Sequence, residues 1–173
     1  MEKDPLSLET RRRIFQFIRE RPGSYPREIV RELSLQFGVV QYHLGVLVDL
    51  RILTFVDDGF RKRYYVSREV KSSDRQMLSV LKLDTPRRIV LHLFQKGEAS
   101  FDEIRSQFGF SKSALSFHMK KLLSAGIVGE KRSSSRSTYY IVDRDAVARI
   151  LITYRSSFLD NLVDSFIDSW LRL

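Results

Sequence analysis

The chain of 173 residues contains no cysteine. That excludes a disulfide framework, a thiolate metal site and cysteine nucleophile chemistry. Imidazole is scarce too, with only His43, His92 and His118. No apolar run approaches the roughly 20 residues that a helical membrane span requires, so no membrane partner is expected. Residues Met1 to Arg13 have acids early and no apolar stretch, so no secretory signal is expected either. The expected compartment is the cytoplasm. No glycine-rich phosphate loop, metal constellation or Ser/His/Asp arrangement stands out, so no enzyme and no cofactor are expected. What is present is a globular composition, 43% hydrophobic and 29% charged, with Lys and Arg outnumbering Asp and Glu by 30 to 21. A net charge of +9 points to a polyanionic partner, with general solubility charge as the plain alternative.

The chain repeats itself. Shifted by 75 residues, Leu6 to Tyr65 matches Leu81 to Tyr140 without a gap. Identities include Leu8/Leu83, Arg12/Arg87, Ile14/Ile89, Glu28/Glu103, His43/His118, Leu47/Leu122, Arg61/Arg136 and Tyr64-Tyr65/Tyr139-Tyr140. A constant offset over that length means two tandem copies of one small module.

Both copies parse alike. In the second, Thr85-Pro86 is read as a helix start with proline at the first position, and Lys96-Gly97 as its end. Ser100 to Glu103 forms a capping box for a second helix that stops at Gly109. A third helix runs from Ser111 to about Ser124, with Leu115, Met119 and Leu122 on one face. Val128 to Arg132 and Ser137 to Val142 read as strands around a serine tip. The first copy has helices near Thr10–Glu20, Pro26–Leu33 and Gln36–Leu50, then strands Leu53–Val56 and Arg63–Val66 around an Asp-Gly turn signal. Helix, helix, turn, helix, hairpin is the winged helix-turn-helix layout. The expected fold class is mainly α with small β-hairpin wings (α+β): two tandem winged helix-turn-helix domains, 1–71 and 72–142, plus a long C-terminal helix over 143–173. A short linking helix, Arg75 to Lys82, belongs with the second.

The second copy resembles the ArsR-like type of winged helix. The resemblance lies in Leu83-Asp84-Thr85-Pro86-Arg87-Arg88-Ile89-Val90, in Ser111 to Leu122, and in Ala125-Gly126-Ile127-Val128. The first copy, with Pro22-Gly23, Glu28-Ile29 and Gln41-Tyr42-His43-Leu44, is similar to winged helices of archaeal regulators that carry two such domains. Together these imply sequence-specific binding of double-stranded DNA, transcriptional regulation, homodimerisation and a nucleoid-associated location. The family's metal sensing does not carry over, because cysteine is absent and the last helix has no histidine. An effector or a transcription-machinery partner stays open.

Candidate contacts follow from the third helix entering the major groove with its core face inward. In the second copy Lys112, Ser113, Ser116, Phe117 and Lys120 then point outward. Cations meet phosphate or guanine, serines meet bases or phosphates, and Phe117 meets a thymine methyl. Lys131, Arg132 and Arg136 make a cationic wing, with Arg61, Lys62 and Arg63 as its first-copy counterpart. Arg11 to Arg13 and Arg87-Arg88 are read either as phosphate contacts or as solvated helix faces. His43 and His118 are read as packing and hydrogen-bonding residues, with base reading as the alternative, and one ring of each tyrosine pair as buried.

The third helix of the first copy carries no Lys or Arg, leaving Gln41 and Tyr42 as its candidate DNA contacts or as part of a protein-binding face. By segment, residues 1–71 hold 14 cations against 10 acids, 72–142 hold 12 against 6, and 143–173 hold 4 against 5. The tail lacks Gly and Pro, which permits one long helix. Its stripe of Leu151, Tyr154, Phe158, Leu162, Phe166 and Trp170 is expected to bury itself in a dimer or to fold back over the first copy. Asp160, Asp164 and Asp168 are read as a solvated stripe. The competing function is a tandem winged-helix protein-interaction scaffold in a chromosome- or transcription-associated assembly. RNA binding is a third class, disfavoured by the lack of exposed sheet aromatics beyond the tyrosine pairs.

Overall fold

A computed structural model describes Leu6, residues 8–158 and residues 160–172. The chain divides into two compact units, 1–79 and 80–173. The first contains α1 (Glu9–Glu20), α2 (Pro26–Leu33), α3 (Phe37–Asp49), the hairpin β1 (Leu53–Asp57) and β2 (Lys62–Val66), and most of α4 (Ser72–Leu81). The second contains α5 (Asp84–Lys96), β3 (Glu98–Ser100), α6 (Phe101–Phe108), α7 (Lys112–Ser124), β4 (Val128–Arg132), β5 (Ser137–Ile141), α8 (Arg144–Thr153), a 3-10 turn over Arg155–Ser157, and α9 (Asn161–Trp170). Both units are winged helices.

The first core gathers Ile14, Phe17 and Ile18 from α1, Ile29 from α2, Val40, Leu44 and Leu47 from α3, and Leu53, Tyr64 and Val66 from the hairpin. Each fully buried aliphatic or aromatic side chain contributes about 1.5–3 kcal/mol, which is what holds so short a set of helices in place. The second core repeats it with Ile89, Leu93, Ile104, Leu115, Leu122, Ile127 and Val128. Two turns of the repeat need left-handed backbone. The second copy meets them with Gly109 (φ 68°) and Gly126 (φ 69°), whereas Ser34 (φ 53°) and Arg51 (φ 58°) carry the same geometry in the first. Glycine adopts it without a Cβ penalty.

Several elements differ from the reading above. Helix α5 starts at Asp84, so Pro86 occupies its third position, still among the turn whose amides have no helical acceptor. A third strand, β3, pairs with β5 in the order β3-β5-β4. Three residues with no alternation carry too little pattern to read as a strand. The division between units falls after Ser79 rather than at 71/72.

The largest departure is the tail. It is no long helix: α8 ends at Thr153, a 3-10 turn follows, and α9 restarts at Asn161 with Asp160 as its N-cap, accepting from the Leu162 amide at 2.9 Å. Asp160 competes with the helix for a backbone amide and caps the restart, so lack of Gly and Pro was not sufficient for continuity. The tail packs within the second unit. The Phe94 ring of α5 lies 4.6 Å from Phe166 and 5.5 Å from Trp170, and Arg144 donates to the Phe94 carbonyl at 3.0 Å. Leu151 and Phe158 are buried, so much of the stripe assigned to a partner is used inside the chain.

Arg87 fixes that return. Its Nε donates to Asp160 at 2.7 Å, while its terminal nitrogens reach Asp84 at 3.1 Å and the Leu81 and Lys82 carbonyls at 3.1 and 3.3 Å. Arg87 is buried and is therefore neither a phosphate contact nor a solvated residue. Asp160 is half-buried against it, and Asp164 pairs with Arg155 at 2.6 Å, so two of the three tail aspartates are ion-paired rather than simply solvated.

Candidate nucleic-acid interface

In the second unit, Ser111 caps α7 by accepting from the Ala114 amide at 3.2 Å. Leu115, Met119 and Leu122 are buried. The 3.6-residue period then puts Lys112, Ser113, Ser116, Phe117 and Lys120 on the outer face, and all five are exposed. Phe117 is 45% exposed, with the Lys121 ammonium 5.3 Å from its ring centre. The capping box at Ser100 and Glu103 sets the start of α6, and the Lys96 ammonium and the Ser100 amide hold the Glu103 carboxyl down at about 2.

The second wing is cationic but internally paired. Lys131 reaches Glu98 at 3.2 Å and lies over the Tyr140 ring, and Arg132 reaches Glu130 at 3.1 Å. Hydrogen bonds from Ser137, Arg132 and Tyr139 keep the Glu130 carboxyl below the usual carboxylate range. Such exposed pairs contribute about 0.2–1 kcal/mol, so a phosphate can compete for these cations. Arg136 is exposed on the far side of the tip. Tyr140 crosses Gly129 so closely that a Cβ there would lie 2.6 Å from its ring, and glycine is what permits the crossing.

In the first unit Gln41, Tyr42, Arg61 and Lys62 are exposed, but Arg63 is not. Its side chain is 3% exposed and donates to Asp58, itself 0% exposed, at 2.6 Å and to the Gly23 carbonyl at 3.1 Å. Burial would raise the Asp58 carboxyl, but the Phe60 and Arg61 amides and the Arg63 guanidinium outweigh it and lower its pKa. Arg63 is thus a structural cation, misread because Arg61-Lys62-Arg63 looks uniform in sequence, whereas the wing turn brings Asp58 and the loop before α2 brings the Gly23 carbonyl against Arg63 alone. Tyr64 and Tyr65 are both buried, contrary to one ring in and one out, and the Tyr65 hydroxyl donates to the Arg75 carbonyl at 3.2 Å.

Both repeated histidines pack against aromatic rings, but the expected hydrogen bond is made at His43, while the His118 Nδ1 is buried without one. His43 is buried, 5.2 Å from the Tyr42 ring, with its Nδ1 accepting from Arg11 at 3.4 Å. His118 lies between Phe117 and Phe110. Burial lowers the pKa of both, reinforced by Arg11 and Lys121 respectively. Among the described residues no group of three or more His, Asp and Glu comes together to hold a metal ion.

A family model described as an N-terminal HTH domain matches residues 8–78. A second, the bacterial regulatory protein, arsR family, matches residues 84–130. Two helix-turn-helix models thus match the chain in tandem, and the second is of the ArsR type. An uncharacterized HTH-type transcriptional regulator of Methanocaldococcus jannaschii is 29% identical over 140 residues, covering 81% of this chain and 35% of its own length. The chain therefore spans about a third of that relative. HlyU from Vibrio cholerae is 24% identical, covering 49% of this chain and 90% of its own, with a TM-score of 0.44. The transcriptional repressor BigR from Xylella fastidiosa is 25% identical over 46% of this chain and 81% of its own, with a TM-score of 0.41. Among the described residues of this tandem protein, no helix is long and apolar enough to cross a membrane.

Proposed function

We propose that the chain is a transcriptional regulator that binds double-stranded DNA, with α7 of the ArsR-type domain in the major groove. The observation that carries this reading is the outer face of α7, where Lys112, Ser113, Ser116, Phe117 and Lys120 are all exposed opposite a buried Leu115-Met119-Leu122 face. Lys131, Arg132 and Arg136 lie on phosphates or in the adjacent minor groove, and Lys120 and Ser116 read base edges. Two copies act together on a two-fold site. Leu162 and Leu171, exposed on and just after α9, are available for that contact, beside Phe166 and Trp170, which are half-buried against Phe94. The scaffold reading has support in the first unit alone, whose α3 presents Tyr42 and no cation.

The test is a titration of the full chain with a selected duplex and a scrambled one across a salt series. Wild-type log K should fall linearly with log salt, at about −0.9 for each phosphate neutralised. Lys120→Ala should lose about 1–3 kcal/mol on the selected duplex only, whereas Arg132→Ala should weaken both alike. Absence of duplex binding at low salt, or affinity flat across salt, removes the regulator reading.

A further inference from the structure

The first unit has an open cleft of about 690 Å³ between the start of α2, the start of α3 and the wing. Its lining is aromatic and cationic: Tyr25, Phe37, Phe60 and Tyr64, with Arg27, Arg61 and Lys62, and no carboxylate. Phe37 on one wall is 47% exposed, and Phe60 on the other is 59% exposed. The Arg61 guanidinium lies 4.2 Å from the Tyr25 ring centre, and the Lys62 ammonium lies 4.5 Å from that of Phe55. Stacking on a ring leaves the edge of a guanidinium free to donate to phosphate oxygen. Beyond Phe37, the outer face of α3 continues through Gly38, Gln41 and Gly45, and a Cβ added at either glycine would meet nothing within 4 Å.

We propose that this cleft holds an unpaired DNA strand, its bases stacked on Phe37 and Phe60 and its phosphates on Arg27, Arg61 and Lys62. Accessible rings interleaved with cations are the chemistry by which proteins hold single strands, because every base has a π-face and every linkage a charge. A duplex fits less well. The helix that would enter its groove has no cation, and the wing tip carries exposed Asp57 toward any phosphate it approaches. An acidic peptide would match the cations but leave the two phenyl faces without a flat partner. The proposal does not depend on the duplex contacts of the ArsR-type domain.

The experiment measures fluorescence anisotropy of a labelled ten-nucleotide oligothymidylate with the full chain and its Phe37→Ala, Phe60→Ala, Phe60→Trp and Lys120→Ala variants. Each loss of a stacking platform should weaken oligothymidylate binding by about tenfold. Phe60→Trp should retain it, and Lys120→Ala should leave it unchanged while weakening the selected duplex. Thermal melting close to wild type shows that the alanine variants are folded. The proposal is overturned if oligothymidylate does not bind, if the alanine variants bind it as wild type does, or if they lose duplex binding to the same extent. It is also overturned if oligouridylate RNA binds tenfold more tightly, or if an oligoglutamate peptide displaces the oligomer at equal concentration. Oligothymidylate binding without any duplex binding would support the cleft and defeat the regulator reading separately.

Discussion

Arg63→Ala distinguishes a structural cation from a DNA contact. In the folded chain the Arg63–Asp58 pair is almost fully removed from solvent, with N···O 2.6 Å and side-chain exposures of 3% and 0%. Removing the guanidinium leaves a buried carboxylate that keeps the amide donors of Phe60 at 2.9 Å and Arg61 at 3.0 Å, and it takes a donor from the Gly23 carbonyl. Breaking a buried pair from one side costs about 3–5 kcal/mol, and the two surviving amides put this case at the lower end, about 3 kcal/mol. For a domain of this size, each kcal/mol shifts the melting temperature by about 4–8 °C, so the first unit should melt roughly 10–25 °C lower. Calorimetry of the full chain, with peptide-resolved hydrogen exchange to assign the transition, measures it. Replacing both partners, Asp58→Asn with Arg63→Met, should restore part of the loss because no uncompensated charge remains. Arg61→Ala is the control and should leave melting near wild type. If Arg63→Ala melts like wild type and instead reduces the salt slope of duplex binding by about one contact, the buried-pair argument fails and Arg63 is a phosphate contact after all.

Two further outcomes follow from the same physics. Asp160→Ala removes the carboxylate that Arg87 holds at 2.7 Å and also the cap of α9, so it should destabilise the second unit by about 3 kcal/mol and raise hydrogen exchange across 161–170, whereas Asp168→Ala should do neither. For His92 and His118, burial together with Lys96 and Lys121 lowers the folded pKa below 6.5, so the unfolded chain binds protons more readily. Stability of the second unit should therefore be full above about pH 6.5 and fall as the pH drops through the histidine range, and the His92→Gln/His118→Gln double variant should flatten that part of a melting-temperature profile. An unchanged slope in the double variant would assign the acid sensitivity to other groups.

Local patterns were legible in the linear chain because they are short-range. The capping box at Ser100 and Glu103, the α7 face and the hairpin turns each depend on neighbours within a few residues, the 75-residue offset reproduces that local pattern twice, and each is present in the fold. The exposed quintet on α7 follows from helical period alone once Leu115, Met119 and Leu122 are assigned inward. Tertiary packing decided the rest. Arg63 and Arg87 read as surface cations until Asp58 and Asp160, one from a turn and one 73 residues away, are brought against them. The tail read as a continuous helix because nothing in it forbids one, but Arg87 and Phe94 reward a break that lets α9 return to α5. The three-residue strand β3 exists because β5 offers it an edge. The cleft of the first unit escaped notice because Tyr25, Phe37 and Phe60 are separated by 12 and 23 residues, and only the packing of α2, α3 and the wing places their rings around one space. Periodicity decides which way a side chain faces, whereas what it meets depends on contacts between elements distant in sequence.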